Sequence, residues 1–232
     1  MKLSDLINAG LHRTSQISLA LRLAVQTRFR LTHNYQPDPF SHAGNDSRAC
    51  AARFAAAAAE LADLERPSVL DVGCNQGYFT FRFAEKGGIC LGFDNDRAEL
   101  MVARARAAVH RVHNVAFFEM LLDTKSIKGL PESDVVICLS IFHHWVRHYG
   151  QKGAEDLMRD LAGRAGKAMV FDTGQPEETA TRWARQLDFM KPDGPAWIEG
   201  FLKDLGFAQV RRLGQFPTSL SPVPRELFVA RR

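Results

Sequence analysis

No stretch of the 232 residues approaches 18 consecutive apolar side chains, which excludes a membrane-spanning helix. Cysteine is scarce. The four residues Cys50, Cys74, Cys90 and Cys138 form no C-x-x-C pair, so neither a zinc site nor a disulfide scaffold is expected. Cys90 and Cys138 lie in apolar runs, where a free thiol packs as a small hydrophobe, the usage of a cytoplasmic protein. The N-terminus has basic residues but no continuous apolar core with a small-residue cleavage site, so no secretory signal is read. There is no internal repeat and no low-complexity stretch beyond the alanines at 55–59. Hydrophobic residues make up 46% and charged residues 24%, which argues against disorder. A chain of this length buries on the order of 70% of its unfolded surface and needs no covalent staples.

Neither sign of charge dominates, but the excess is unevenly placed. The net +4 resolves into +4 over residues 1–34, −4 over the middle and +4 over residues 211–232. Two basic ends around a mildly acidic middle suggest a local anionic partner more than a general nucleic-acid surface. Residues 3–31 place apolar side chains at helical spacing (Leu3, Leu6, Ile7 and Leu11, then Ile17, Leu21, Ala24 and Val25) with arginines elsewhere. This predicts one or two amphipathic helices, packed on the main domain or laid on a membrane surface or partner. Prolines and a Gly-Asn-Asp run make 32–47 a loop. The boundary is therefore set with a helical extension over 1–47 and the main domain over 48–232.

Asp46 or Ser47 can cap an Ala-rich helix over 48–64. Strands then alternate with helices: Ser68–Val72, Ile89–Phe93, Val115–Phe118, Val135–Leu139 and Lys167–Phe171, with helices at Tyr78–Lys86, Arg97–His110, Ala154–Ala162 and Ala196–Leu205. Such alternation predicts a Rossmann-like, doubly wound α/β sheet. Ala208–Leu213 and Glu226–Ala230 have no helix between them and are expected to close the seven strands as an antiparallel hairpin.

The first strand runs into Asp71-Val-Gly73-Cys74-Asn75-Gln76-Gly77-Tyr78. Glycines let the backbone turn tightly and approach a ligand, at the carboxyl lip where open parallel sheets bind ligands. The spacing is not the G-x-G-x-x-G of dinucleotide sites. D-x-G-x-x-x-G resembles motif I of the class I S-adenosylmethionine-dependent methyltransferases, and the second strand ends on an acid, Asp94, beside Asn95. Taken alone, Asp94 reads as a ribose acceptor or as the cap of the helix at 97. The resemblance implies S-adenosyl-L-methionine as cofactor, its ribose on Asp94. It implies Asp71 at the loop or the amino group, and Gly73, Asn75 and Gly77 around the methionine end, with Cys74, Gln76, Tyr78, Asn95 and Leu139 alongside. Adenine would then lie near Glu119, Met120 and Leu121, with Asp123 or a backbone carbonyl accepting from its amine.

The fourth strand leads into Ser140-Ile-Phe-His143-His144-Trp-Val-Arg147-His148-Tyr149. Three histidines and an arginine at a catalytic lip are candidates for taking a proton from a hydroxyl or gripping a phosphate. Gly73–Phe79, Leu139–His144 with Gly150, and Leu220–Arg225 together resemble the methyltransferase part of bacterial O-antigen chain-terminating methyltransferase/kinases. Tyr35-Gln36 is a further match. The resemblance implies O-methylation of a phosphate or glycan phosphate, with Tyr35, Gln36 and Arg225 toward the acceptor. A hairpin-shaping role for the two prolines before Arg225 stands beside that reading. Other readings are a small-molecule or lipid O/N-methyltransferase, an RNA 5′-phosphate methyltransferase, a scaffold that binds the cofactor without turnover, and a nicotinamide dehydrogenase.

Overall fold

The computed structural model describes residues 36–40, 46, 49–218 and 221–232. The helices expected over 3–31, and Tyr35, lie outside them. The first helix, α1 (Cys50–Glu60), begins where the N–H groups of Cys50 and Ala51 donate to the Asp46 carboxylate at 2.7 and 2.9 Å. Its buried stripe is Cys50, Arg53, Phe54 and Ala57, the spacing of one helical face.

Then follow β1 (Val69–Val72), α2 (Tyr78–Ala84), β2 (Cys90–Asp94), α3 (Arg97–Val109), β3 (Val115–Glu119), β4 (Ser133–Leu139), α4 (Phe142–Ala162), β5 (Ala165–Asp172), α5 (Gly194–Asp204), β6 (Gln209–Phe216) and β7 (Arg225–Arg231). Short 3-10 turns at Ile127–Gly129 and Ala184–Met190 lie between. The seven strands form one sheet in the order β3-β2-β1-β4-β5-β7-β6. The five strands β1–β5 are parallel; β7 runs antiparallel to both β5 and β6 and is the reversed strand of the hairpin. Strand order turns around at β1 and β4, so their carboxyl ends part into a crevice, the place where such sheets hold ligands.

Both faces are covered. Leu70, Val72, Val136, Cys138 and Phe171 pack under α4 and α5, while Val69, Val135, Ile137, Val170 and Val229 pack with α1 and α2. Burial on both sides explains why these strands read as continuous apolar runs. All four cysteines are buried and none forms a disulfide. No helix among the described residues is long and apolar enough to cross a membrane.

One element differs from expectation. The segment after β4 is helical from Phe142, not a loop leading to a helix at Ala154. Gly150, at φ 72° and ψ 174°, breaks α4 into two segments. The first turns carry the histidine cluster, and Phe142, Trp145 and Val146 bury its inner face at i, i+3 and i+4.

Candidate active site

A cavity of about 340 Å³ opens at the carboxyl ends of β1, β2 and β4. Val72, Gly73 and Asn75 form one wall, Asp94 and Asn95 the tip of β2, and Met120–Leu122 the segment after β3. Leu139, Ser140 and Ile141 close the β4 side, and His144, Trp145, His148 and Tyr149 come from the first segment of α4.

The glycine loop owes its shape to close approaches. Gly73 has φ +72°, and a Cβ there would stand 2.1 Å from Ile141 Cδ1. Gly77 has φ +81°, and a Cβ would meet Phe117 at 2.7 Å. Asn75 is also left-handed, at φ 52°. Its N–H donates to Asp94 Oδ2 at 2.8 Å, and Asp96 N–H donates to Asp94 Oδ1 at 2.8 Å. Asp94 thus ties the loop to the tip of β2. The cap of α3 is Asp96, which accepts from Ala98 and Glu99, so the cap reading of Asp94 gives way. Burial pushes the Asp94 carboxyl above its ordinary range, against the backbone N–H groups that favour its charge.

Residues 69–163 match the family model described as a methyltransferase domain. The O-antigen chain terminator bifunctional methyltransferase/kinase WbdD of Escherichia coli is 32% identical over 169 residues, 72% of this chain and 22% of that protein. A solved structure of the bifunctional kinase-methyltransferase WbdD matches with a TM-score of 0.74 at 28% identity, covering 88% of this chain and 45% of that one. The chain carries a class I S-adenosyl-L-methionine-dependent methyltransferase domain. It spans only 22% of the length of the E. coli relative it matches. The magnesium protoporphyrin IX methyltransferase of Synechocystis shares the fold, with a TM-score of 0.58 at 22% identity over 79% of this chain and 82% of that one.

The pocket of the methyltransferase domain fits the cofactor of its family. Asn75 Oδ1 is buried without a hydrogen-bond partner among the described residues, an acceptor waiting for a donor. Gly73 lines the same cavity, where a side chain of its own would collide with Ile141. Asp94, Asn95, Leu121 and Leu139, expected around the cofactor, all line the cavity, as do Gly73 and Asn75.

The other expected cofactor residues stand behind the wall. Asp71 is buried and accepts from Thr80 Oγ1 at 2.6 Å, and desolvation raises its pKa to about 7. Cys74 is packed between Gly92 and Phe117, and Gln76 bridges Glu99 (2.7 Å) and Arg106 (2.9 Å). Gly77 and Tyr78 open α2 outside the lining, and Gln36, expected near the acceptor, accepts from Tyr78 N–H at 2.9 Å. Glu119 and Asp123 lie outside the cavity lining. Asp123 instead accepts from Lys125 and Ser126 and closes its own turn.

Only two of the three histidines face the cavity. His143 is buried, and its Nδ1 accepts from Gly174 N–H at 3.0 Å, which leaves the proton of the neutral ring on Nε2. Its ring lies 4.5 Å from Trp183. Arg147 is exposed and outside the lining. Arg225 is buried, its guanidinium bound to both oxygens of Glu178 at 2.7 Å and to Ser140 Oγ at 3.0 Å. The anionic partner expected of Arg225 is therefore supplied from within the chain. Ser140, expected to begin the segment lining the site, does line it, whereas Asp172 and Glu178 went unnoticed in the sequence. Asp172, ending an apolar run as Asp94 does, was a signal; Glu178 sits in a loop and offered none.

Proposed function

We propose that the domain transfers a methyl group from S-adenosyl-L-methionine to an oxygen of a phosphate or sugar-phosphate acceptor. The observation that carries this reading is the α4 wall of the cavity. His144 and His148, one helical turn apart, face the same space as Ser140 and Tyr149, across from Gly73 and Asp94. The relation to the E. coli O-antigen chain terminator supports the phosphate class.

Asp94 accepts from the ribose hydroxyls, Asn75 Oδ1 takes a donor of the cofactor, and Met120–Leu122 cover the base. Bound there, the cofactor supplies an electrophilic methyl group on a sulfonium centre. A phosphate acceptor is already anionic, so its oxygen needs alignment and exclusion of water more than a strong base. His144 and His148 hold the anion in line through N–H donors. Chain termination and phosphorylation belong to the far longer relative and are not part of this reading.

The test is transfer of labelled methyl groups to phosphosugars, 5′-phosphorylated short RNAs and neutral hydroxyl compounds. A phosphosugar should be the best acceptor, and His144→Ala should lower kcat/KM by about 10- to 100-fold. A preference for neutral acceptors, with His144→Ala silent, would overturn the phosphate assignment.

A further inference from the structure

Ser140, at the tip of β4, lines the cavity with φ 61°. A non-glycine residue holds this left-handed backbone only where its surroundings impose it. Here the surroundings are buried and charged. Ser140 N–H donates to Asp172 Oδ1 at 2.7 Å, and its hydroxyl donates to the same oxygen at 3.0 Å. The other Asp172 oxygen pairs with Arg53 of α1. From the opposite side Arg225 Nη1 donates to Ser140 Oγ at 3.0 Å, while its Nε and Nη2 bind the two oxygens of Glu178. Arg225 is 3% exposed and Glu178 is fully buried. Glu178 is itself fixed by Gln175 N–H at 2.9 Å, and the Trp183 ring lies 5.7 Å from the Arg225 guanidinium. One residue of the pocket wall is thus held by α1, β5, the loop after β5 and β7.

Sheet pairing does not require this arrangement. β7 is already paired with β6 along its length and with β5 over Phe228–Arg231, and buried ion pairs are often replaceable by apolar residues without loss of stability. What the network does reach is the backbone before Ile141. Ile141 Cδ1 occupies the space over Gly73 so closely that a rotation at Ser140 would drive it into the glycine loop or away from it.

We propose that Arg225 and Glu178 are positioning residues of the methyl-transfer site. Through Ser140 they set the tip of β4, so that Leu139–Ile141 face Gly73 and Asn75 at the right separation, and neither touches the cofactor. The proposal rests on reading the pocket as the S-adenosyl-L-methionine site.

The test uses the full chain, with S-adenosylhomocysteine binding by calorimetry and thermal melting measured side by side. Ser140→Gly accepts the left-handed backbone without strain but loses the hydroxyl that Asp172 and Arg225 hold. It should stay folded with at most a modest drop in melting temperature yet bind roughly 3- to 10-fold more weakly. The double variant Arg225→Met, Glu178→Leu leaves no unpaired buried charge and should fold, with a similar loss of affinity. Arg225→Lys cannot bridge Glu178 and Ser140 at once and should fall between. Wild-type affinity in both Ser140→Gly and the double variant would overturn the proposal. Should the double variant not fold, Ser140→Gly decides alone. Failure of the wild type to bind S-adenosylhomocysteine would instead overturn the cofactor reading.

Discussion

Two aspartates two residues apart divide the work at the tip of β2. Asp96 serves the helix, while Asp94 serves the loop and the cavity. Asp94→Ala should weaken cofactor binding by about 1.5–3 kcal/mol in calorimetry, the loss of hydrogen bonds to a charged group. Asp96→Ala should cost about 1 kcal/mol of stability by denaturant unfolding and leave affinity nearly unchanged. Asp71 makes a pH-dependent prediction. Burial raises its folded pKa to about 7, above the 3.8 of an exposed carboxyl. Below the unfolded value both states hold the proton and its contribution is fully present; as pH rises through 7 the folded state must ionise a buried group and the contribution is lost. Denaturant midpoints should therefore show the wild type losing stability relative to Asp71→Asn between about pH 4 and pH 7, and a flat difference would contradict the raised pKa. The acids and glycines of this region were legible because their spacing alone places them at strand ends. Which of two adjacent histidines faces the cavity was not, because that depends on helical phase.

The phase is set by where α4 begins. Phe142-His-His-Trp-Val-Arg-His-Tyr149 is poor in strong helix formers and ends at a glycine, so propensity gives no helix signal there. Tertiary burial of Phe142, Trp145 and Val146 made it a helix. The rest of the architecture, including the closing hairpin, was legible because parallel strands buried on both faces announce themselves as short apolar runs. Strand ends were less so: β4, β5 and β6 extend beyond their apolar cores to Ser133, Asp172 and Phe216. Gly150 permits α4 to change direction after the histidine segment. A Cβ there would meet nothing within 4 Å, so Gly150→Ala acts purely through the backbone. At φ 72° and ψ 174° the substitution should cost about 1–3 kcal/mol, read as a lowered denaturant midpoint.

For the molecule as a whole, the arginines of the basic C-terminus have partners within the chain. Arg211 pairs with Glu60, Arg212 with Glu199, Arg225 with Glu178 and Arg231 with Asp63. Arg232 donates to the carbonyls of Ala162, Ala165 and Gly206. Five arginines that looked like a local positive field in the sequence instead fasten the hairpin to α1, α5 and neighbouring loops. No rule of composition could have shown this, because their partners lie up to 171 residues away. Cofactor binding is also a whole-molecule property. S-adenosyl-L-methionine at 100 times its Kd should add about 2.7 kcal/mol of stability, visible as a raised melting temperature, and NAD at equal concentration should add nothing. A shift with NAD alone would favour the dehydrogenase reading. The four buried thiols have a consequence of their own. Cys50, Cys74, Cys90 and Cys138 sit in α1, the glycine loop, β2 and β4, and burial holds the last three in the unreactive protonated form. An alkylating reagent must wait for each element to open, so the order in which the cysteines are labelled is a clock of how the domain comes apart.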